Sequence, residues 1–144
     1  MKYASARILK IVAALAAVAL LSIPAVVQAQ SGGMKVNVPF EFYIGDQKFP
    51  AGLYAVWRNH NNASVVQVSD RNGHNSIIVT IPITSRLENA AGQLVFNRYG
   101  DNHFLSEVRW TGSDSGGQFP KSSVERRLAK NIATEQVATT NTNR

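Results

Sequence analysis

The sequence predicts an all-β fold, an antiparallel sandwich or small barrel of about six strands with one C-terminal helix. Two-residue alternation of apolar and polar side chains recurs between positions 36 and 110. Gly, Asn, Asp and Pro clusters separate these runs at spacings of roughly ten to fifteen residues. The connections are too short for crossover helices, so neighbouring strands must run antiparallel.

The stretch "VNVPFEFYIGDQKFPAGLYAV" sets the pattern. Val36, Val38, Phe40, Phe42 and Ile44 project to one side of an extended chain, and Asn37, Pro39, Glu41 and Tyr43 to the other. Pro39 has no N–H to donate, which suits an edge strand or a bulge. "GDQK" supplies a turn and "PAG" a second bend, so the segment reads as a hairpin. "LYAVW" then places Leu53, Ala55 and Trp57 on one face and Tyr54 and Val56 on the other. "SVVQVS" extends, and "DRNG" carries Asn72-Gly73, a pair suited to a tight turn with φ above zero at both residues. In "SIIVTIPI", Ile77, Val79, Ile81 and Ile83 share a face. After the looser "TSRLENAAG" come "QLVFNRY", the turn "GDN" and "HFLSEVRW", in which alternation puts Phe104, Val108 and Trp110 together.

Beyond Trp110 the grammar changes. "TGSDSGGQ" reads as an irregular, flexible loop. Ser122 and Glu125 fit a capping box, Pro120 precedes the cap, and Val124, Leu128 and Ile132 recur at helical spacing, predicting a helix over about 122–133. Its apolar stripe needs a partner and is expected to cover part of the sheet or one open end of the barrel. Residues 134–144 read as a disordered tail. "IGDQKF" and "YGDNHF" echo each other, which shared turn chemistry explains.

Residues 1–29 have the form of a signal peptide: Lys2, Arg7 and Lys10 precede an apolar run that ends at "VQAQ", with cleavage expected after Ala29. That run is short for a bilayer span. Residues 30–34 are expected to be a flexible N-terminus, and 35–133 a single β domain. Three of the fifteen Lys and Arg residues lie in the leader, leaving twelve against nine acidic residues, a net charge of +3 instead of +6. No run of five or six like charges remains, which argues against nucleic acid as a partner. Cysteine is absent, which removes disulfides, thiolate zinc sites, a cysteine nucleophile and a lipoprotein anchor.

The combination "VPFEFYIGDQKFPAGLYAV", "RYGDNHFLSEVRW" and "PKSSVERRLAK" resembles a family of small secreted soil-bacterial proteins with a VPFxFxxG…PAGxYxV front and an FLSEVW-like hairpin. The likeness runs from about residue 36 to 130. It implies a class and an export route but no catalytic residue. Where the family pattern has tryptophan directly after valine, this chain reads Val108-Arg109-Trp110.

Candidate chemistry is sparse. A meander would gather the turns bearing Asp46, Asp70, Asp101, His74 and His103 at one end, and Asp101, His74 and His103 are the residues a metal would take. Turn preference for Asp and Asn explains the same gathering, and no HExxH accompanies it. The serines of "SDSGG" lack a G-x-S-x-G context. Tyr54, Trp57, Tyr99 and Trp110 are candidates for stacking on a ligand, against the ordinary role of strand aromatics in a core. On a flat strand, Tyr54 and Trp57 cannot both face a ligand. Arg126 and Arg127, with Lys130, form a basic helix edge suited to an acidic headgroup or polysaccharide, against a solvated face.

These observations predict a non-enzymatic binding, interaction or structural module without cofactor, periplasmic or secreted. Its partner is an envelope or extracellular one, with glycan and lipid both open, and it meets the membrane only transiently through the signal peptide. The alternative is a barrel carrier of a small apolar ligand. A third is a hydrolase or metal-dependent enzyme built on the Asp/His turn cluster.

Overall fold

The computed structural model describes residues 33–84 and 91–142. Eleven strands and a short helix are formed among them: β1 (Gly33–Val38), β2 (Phe42–Ile44), β3 (Gln47–Phe49), β4 (Gly52–Arg58), β5 (Val65–Ser69), β6 (Asn75–Val79), β7 (Ile81–Thr84), β8 (Gln93–Tyr99), β9 (Asn102–Arg109), β10 (Ser115–Gln118), α1 (Ser123–Leu128) and β11 (Glu135–Thr140). The leader, most of the "TSRLENAAG" segment and residues 143–144 lie outside the described residues.

Among the described residues the strands make two sheets, as in a sandwich, and no closed barrel. The first has the order β1-β4-β5-β6, and the second β11-β8-β9-β10-β7, with the β2–β3 hairpin attached to β9 through a parallel Tyr43–Phe104 pairing. Alternation turns the corner between the sheets. Val36 and Val38 of β1 and Phe42 and Ile44 of β2 all point inward, although the strand breaks at Pro39 and its halves join different sheets. The expected single hairpin over 36–56 is therefore a β1–β4 pair, Val38 opposite Gly52, with the β2–β3 hairpin inserted in its loop.

Gly45 and Gly100, both at φ 61°, each open a two-residue hairpin turn, Gly45-Asp46 and Gly100-Asp101. No non-glycine residue among those described has positive φ. The "DRNG" turn thus puts only Gly73 in that region and is held by the Asp70 side chain instead.

The space between the sheets is filled. Phe42 packs on Phe49, Tyr54 and Phe96 with ring centroids 5.5, 5.0 and 5.3 Å apart, so one aromatic cluster joins β2, β3, β4 and β8. Val36, Val56, Val66, Val68, Leu94, Leu105 and Val108 complete the core. Each such side chain, fully buried, contributes about 1.5–3 kcal/mol relative to exposure.

Several expectations are corrected. Phe104 does not share a face with Val108 and Trp110. Phe96 pairs with Leu105 but Val95 with Glu107, so Ser106 is an extra residue that reverses the alternation. Leu105, Val108 and Trp110 enter the inter-sheet core, while Phe104 lies on the other side of the sheet, stacked on Tyr43 at 5.0 Å. "SDSGGQ" contributes β10, which bridges β9 and β7. The helix spans six residues, and its buried member is Glu125, with Val124 and Leu128 half-buried and Ile132 exposed beyond its end. The tail forms β11, which pairs with β8 over all six residues, and Thr142 and Asn141 then reach Lys35 and Val36 of β1. Gly33 and Met34, expected to be flexible, belong to β1.

Candidate binding surface

The outer face of the first sheet is assembled by pairing register. Gly33, Trp57, Gln67 and Ile77 form one cross-strand row, and Lys35, Ala55, Ser69 and Asn75 the next. Leu53 flanks these rows on β4, and Val65 and Val79 pair on the other side of the Trp57 row. Neighbours in such rows touch because side chains at paired positions stand on the same side of the pleat.

Within this face lies a hollow of about 140 Å³ lined by Lys35, Leu53, Ala55, Trp57, Ser69, Asp70 and Arg71. Trp57 donates from Nε1 to Gln67 Oε1 at 3.0 Å, which fixes the indole across β4 and β5. Gly33, opposite Trp57, has no side chain to compete for that space.

The Asp70 turn forms the charged rim. Asp70 Oδ1 accepts from the amides of Asn72 and His74 at 2.8 and 2.9 Å, and Oδ2 lies 2.7 Å from His74 Nδ1. Burial acts to raise the Asp70 carboxyl, but these hydrogen bonds from His74 and Asn72 outweigh it and hold the group below its ordinary value. Lys35 and Arg71 make no ion pair among the described residues. Lys35 and Arg71 therefore stand, with the Asp70 carboxylate, beside an aromatic and aliphatic wall.

Exposed apolar side chains continue the face on β6 and follow into β7 of the other sheet. Ile77, Val79 and Ile81 are 64%, 65% and 57% exposed. Ile77 and Val79 share a face as expected, but it points away from the core, because Ile78 and the buried Thr80 take the inward positions, and Ile81 and the half-buried Ile83 belong to β7 in the other sheet. Thr80 Oγ1 donates to the Ser64 carbonyl at 2.9 Å, which satisfies the hydroxyl inside.

Of the sequence-predicted aromatics, only Trp57 faces this hollow. Tyr54 is fully buried, with its hydroxyl on the Pro50 carbonyl and its phenol pushed up to about 12 by burial and by Asp70. Tyr99 is also fully buried and donates to Glu125 at 3.3 Å. Trp110 is 6% exposed, and the Arg58 guanidinium lies 5.3 Å above its ring. Tyr54 and Tyr99 are therefore core residues, whereas Trp110, though mostly buried, also lines a second hollow of about 160 Å³ with Gly33, Met34, Arg58, Thr111 and Ser113. Arg126 is tied to the Lys121 carbonyl at 2.7 Å, while Arg127 is exposed in the last helical turn.

The metal set is not assembled: among the described residues no three His, Asp or Glu side chains come within metal-holding reach. His74 is engaged with Asp70, and the His103 ring is stacked on Phe40 at 4.0 Å. Burial, and then the nearby Arg98 charge, lower the His103 pKa against the opposing pull of Asp101.

Sequence reasoning missed Lys35, Ser69 and Arg71, and it missed that Ile77 and Val79 face solvent. Composition pointed the wrong way for the latter, since the outward Ile77 and Val79 are more apolar than the alternate set Ser76, Ile78 and Thr80. Family models, curated proteins and solved structures all gave no match to this chain. No helix among the described residues is long and apolar enough to cross a membrane.

Proposed function

We propose that this chain is an exported, non-catalytic binding module whose ligand surface is the outer face of the first sheet around Trp57, and that its ligand is a glycan carrying acidic groups. The observation that carries this reading is the Trp57 hollow, an indole and aliphatic wall beside the unpaired cations Lys35 and Arg71. An indole flank suits the apolar face of a sugar ring, and Lys35 and Arg71, two cations against the one carboxylate of Asp70, suit a carboxylate or sulfate on it. Export rests on the form of residues 1–29. The packed interior favours a ligand on a face over one carried between the sheets, because the aromatic cluster and valines fill that space.

The test is titration of the purified protein with neutral and uronate-containing oligosaccharides, followed by calorimetry and tryptophan fluorescence. Trp57 and Trp110 are the two tryptophans, and Trp110 is buried, so a fluorescence change reports mainly on Trp57. Trp57→Ala should abolish binding, and Lys35→Ala with Arg71→Ala should remove the preference for acidic sugars. Undiminished binding by Trp57→Ala, or no response to any acidic glycan, would overturn the reading.

A further inference from the structure

Strand β6 is an edge strand: it pairs with β5 on one side, and among the described residues no strand pairs with its far side. The hydrogen-bond parity of that edge follows from two backbone contacts. Thr80 donates to the Ser64 carbonyl at 2.7 Å and Asp70 donates to the His74 carbonyl at 3.0 Å, so even-numbered residues from 74 to 80 turn their backbone groups toward β5. Asn75, Ile77 and Val79 consequently turn their N–H and C=O groups outward, along the free edge.

Other free edges carry a device that opposes pairing. Pro82 interrupts β7, Lys48 lies in the short β3, Glu135 begins β11, and β1 is engaged at Val36 and Lys35 by Asn141 and Thr142. Strand β6 has none of these, and the ten residues 75–84 contain no charged side chain. Two copies of this segment can approach each other without like-charge repulsion.

We propose that β6 pairs with β6 of a second copy of this chain, antiparallel and centred on Ile77, to make one continuous eight-stranded sheet. In that register Ile77 faces its own counterpart, Asn75 faces Val79, and Ser76 faces Ile78. The residues whose backbone groups point outward are the ones brought into hydrogen-bonded pairs, so the arrangement that matches the side chains also satisfies the open edge. The two-fold axis is perpendicular to the sheet, and each outer face stays an outer face. The row Trp57–Gln67–Ile77 runs on into its symmetry mate. The two Trp57 hollows then share one surface, about 24 Å apart at roughly 4.8 Å per strand, a spacing suited to bivalent attachment to a repeating polymer. This last step rests on the ligand reading above, and the dimer does not.

A five-residue edge with three apolar side chains is small beside a standard interface of about 800 Å² per partner. The dimer should therefore be reversible, dissociating on dilution from about 100 µM to about 1 µM, as followed by sedimentation or light scattering. Ile77→Lys should be monomeric at both concentrations with an unchanged circular dichroism spectrum. The chain has no cysteine, so Ile77→Cys treated with a short bismaleimide should give a cross-linked dimer, while the exposed control Asp114→Cys should not. A monomer at every concentration, a dimer indifferent to Ile77→Lys, or equal cross-linking at both cysteine positions would each overturn the proposal. Trp57→Ala should still dimerise and Ile77→Lys should still bind ligand singly, so failure of one reading is distinguishable from failure of the other.

Discussion

Asn97 on β8 donates from Nδ2 to Glu125 Oε1 at 2.8 Å, joining the second sheet to α1 across 28 positions of sequence. The same oxygen accepts from the Tyr99 hydroxyl at 3.3 Å, and Lys121 Nζ lies 3.3 Å from that hydroxyl. Glu125 is 3% exposed, and Asn97 and Tyr99 are buried with it. Glu125→Ala strands both donors away from water and should cost about 1–3 kcal/mol. Glu125→Gln keeps an acceptor oxygen and should cost less. Urea denaturation reads both, and equal midpoints for wild type and Glu125→Ala would show that the contact contributes nothing to stability.

The C-terminal strand leads to a second expectation. Because β11 pairs with β8 from Glu135 opposite Arg98 to Thr140 opposite Gln93, ending the chain after Thr134 would expose an edge rich in Leu94, Val95 and Phe96. The truncated protein should lose about 2 kcal/mol or more, since each ladder bond contributes about 0.5–1.5 kcal/mol net, and it should scatter light on concentration. An unaltered melting temperature would mean that β11 is dispensable.

Periodicity was a faithful guide in β1, β2 and β4 but not in β6, whose more apolar set, Ile77 and Val79, faces solvent. Val36, Val38, Phe42, Ile44, Tyr54, Val56, Val66 and Val68 are all inside, and Tyr54 and Trp57 face opposite ways as the β4 alternation requires. It failed where a single residue changed the phase, as Ser106 does in β9, because a bulge leaves no local trace in alternating composition. Polar segments were misread for another reason. "TEQVATTN" has little apolar content, and its order comes from the open edge of β8, a long-range partner invisible from its own residues. Glu125 was legible as a capping residue, and its amide does bond Ser122 Oγ at 3.1 Å. Its side chain serves Asn97 and Tyr99 instead, a choice set by the sheet. Of the candidate surface, Trp57 was legible from strand phase, while Lys35 and Arg71 come together with it only through the pairing of β1, β4 and β5.

Close packing explains the paired glycines of β10. A Cβ on Gly116 would lie 2.6 Å from the Val108 carbonyl oxygen and 3.1 Å from Ile83 Cγ1. The carbonyl is backbone in the neighbouring strand and cannot swing aside. Gly116→Ala should therefore destabilise by about 1–3 kcal/mol, with the loss appearing as a lower thermal midpoint. A neutral or stabilising result would show that β9 and β10 can separate at no cost.

Acid should weaken the fold in two separable steps. His103 prefers its neutral form in the folded chain, chiefly because burial disfavours its charge, and its Nδ1 is buried without a hydrogen-bond partner among the described residues. With the folded pKa below the ordinary 6.5, the unfolded chain binds the proton first. The His103 contribution is complete above that value and declines as pH falls toward the lowered folded pKa. Asp70 acts at lower pH. Its folded carboxyl lies below the ordinary 3.8 because hydrogen bonds from His74 and Asn72 overcome the effect of burial, so its contribution is present above 3.8 and is lost as pH falls through the depressed value. His103→Gln should flatten the first step and leave the second, and Asp70→Asn should do the reverse. Unfolding free energies measured from neutral pH downward check both, alongside a proton-resonance titration of the His103 ring. A ring midpoint at or above 6.5 would contradict the assignment of the first step to this buried imidazole.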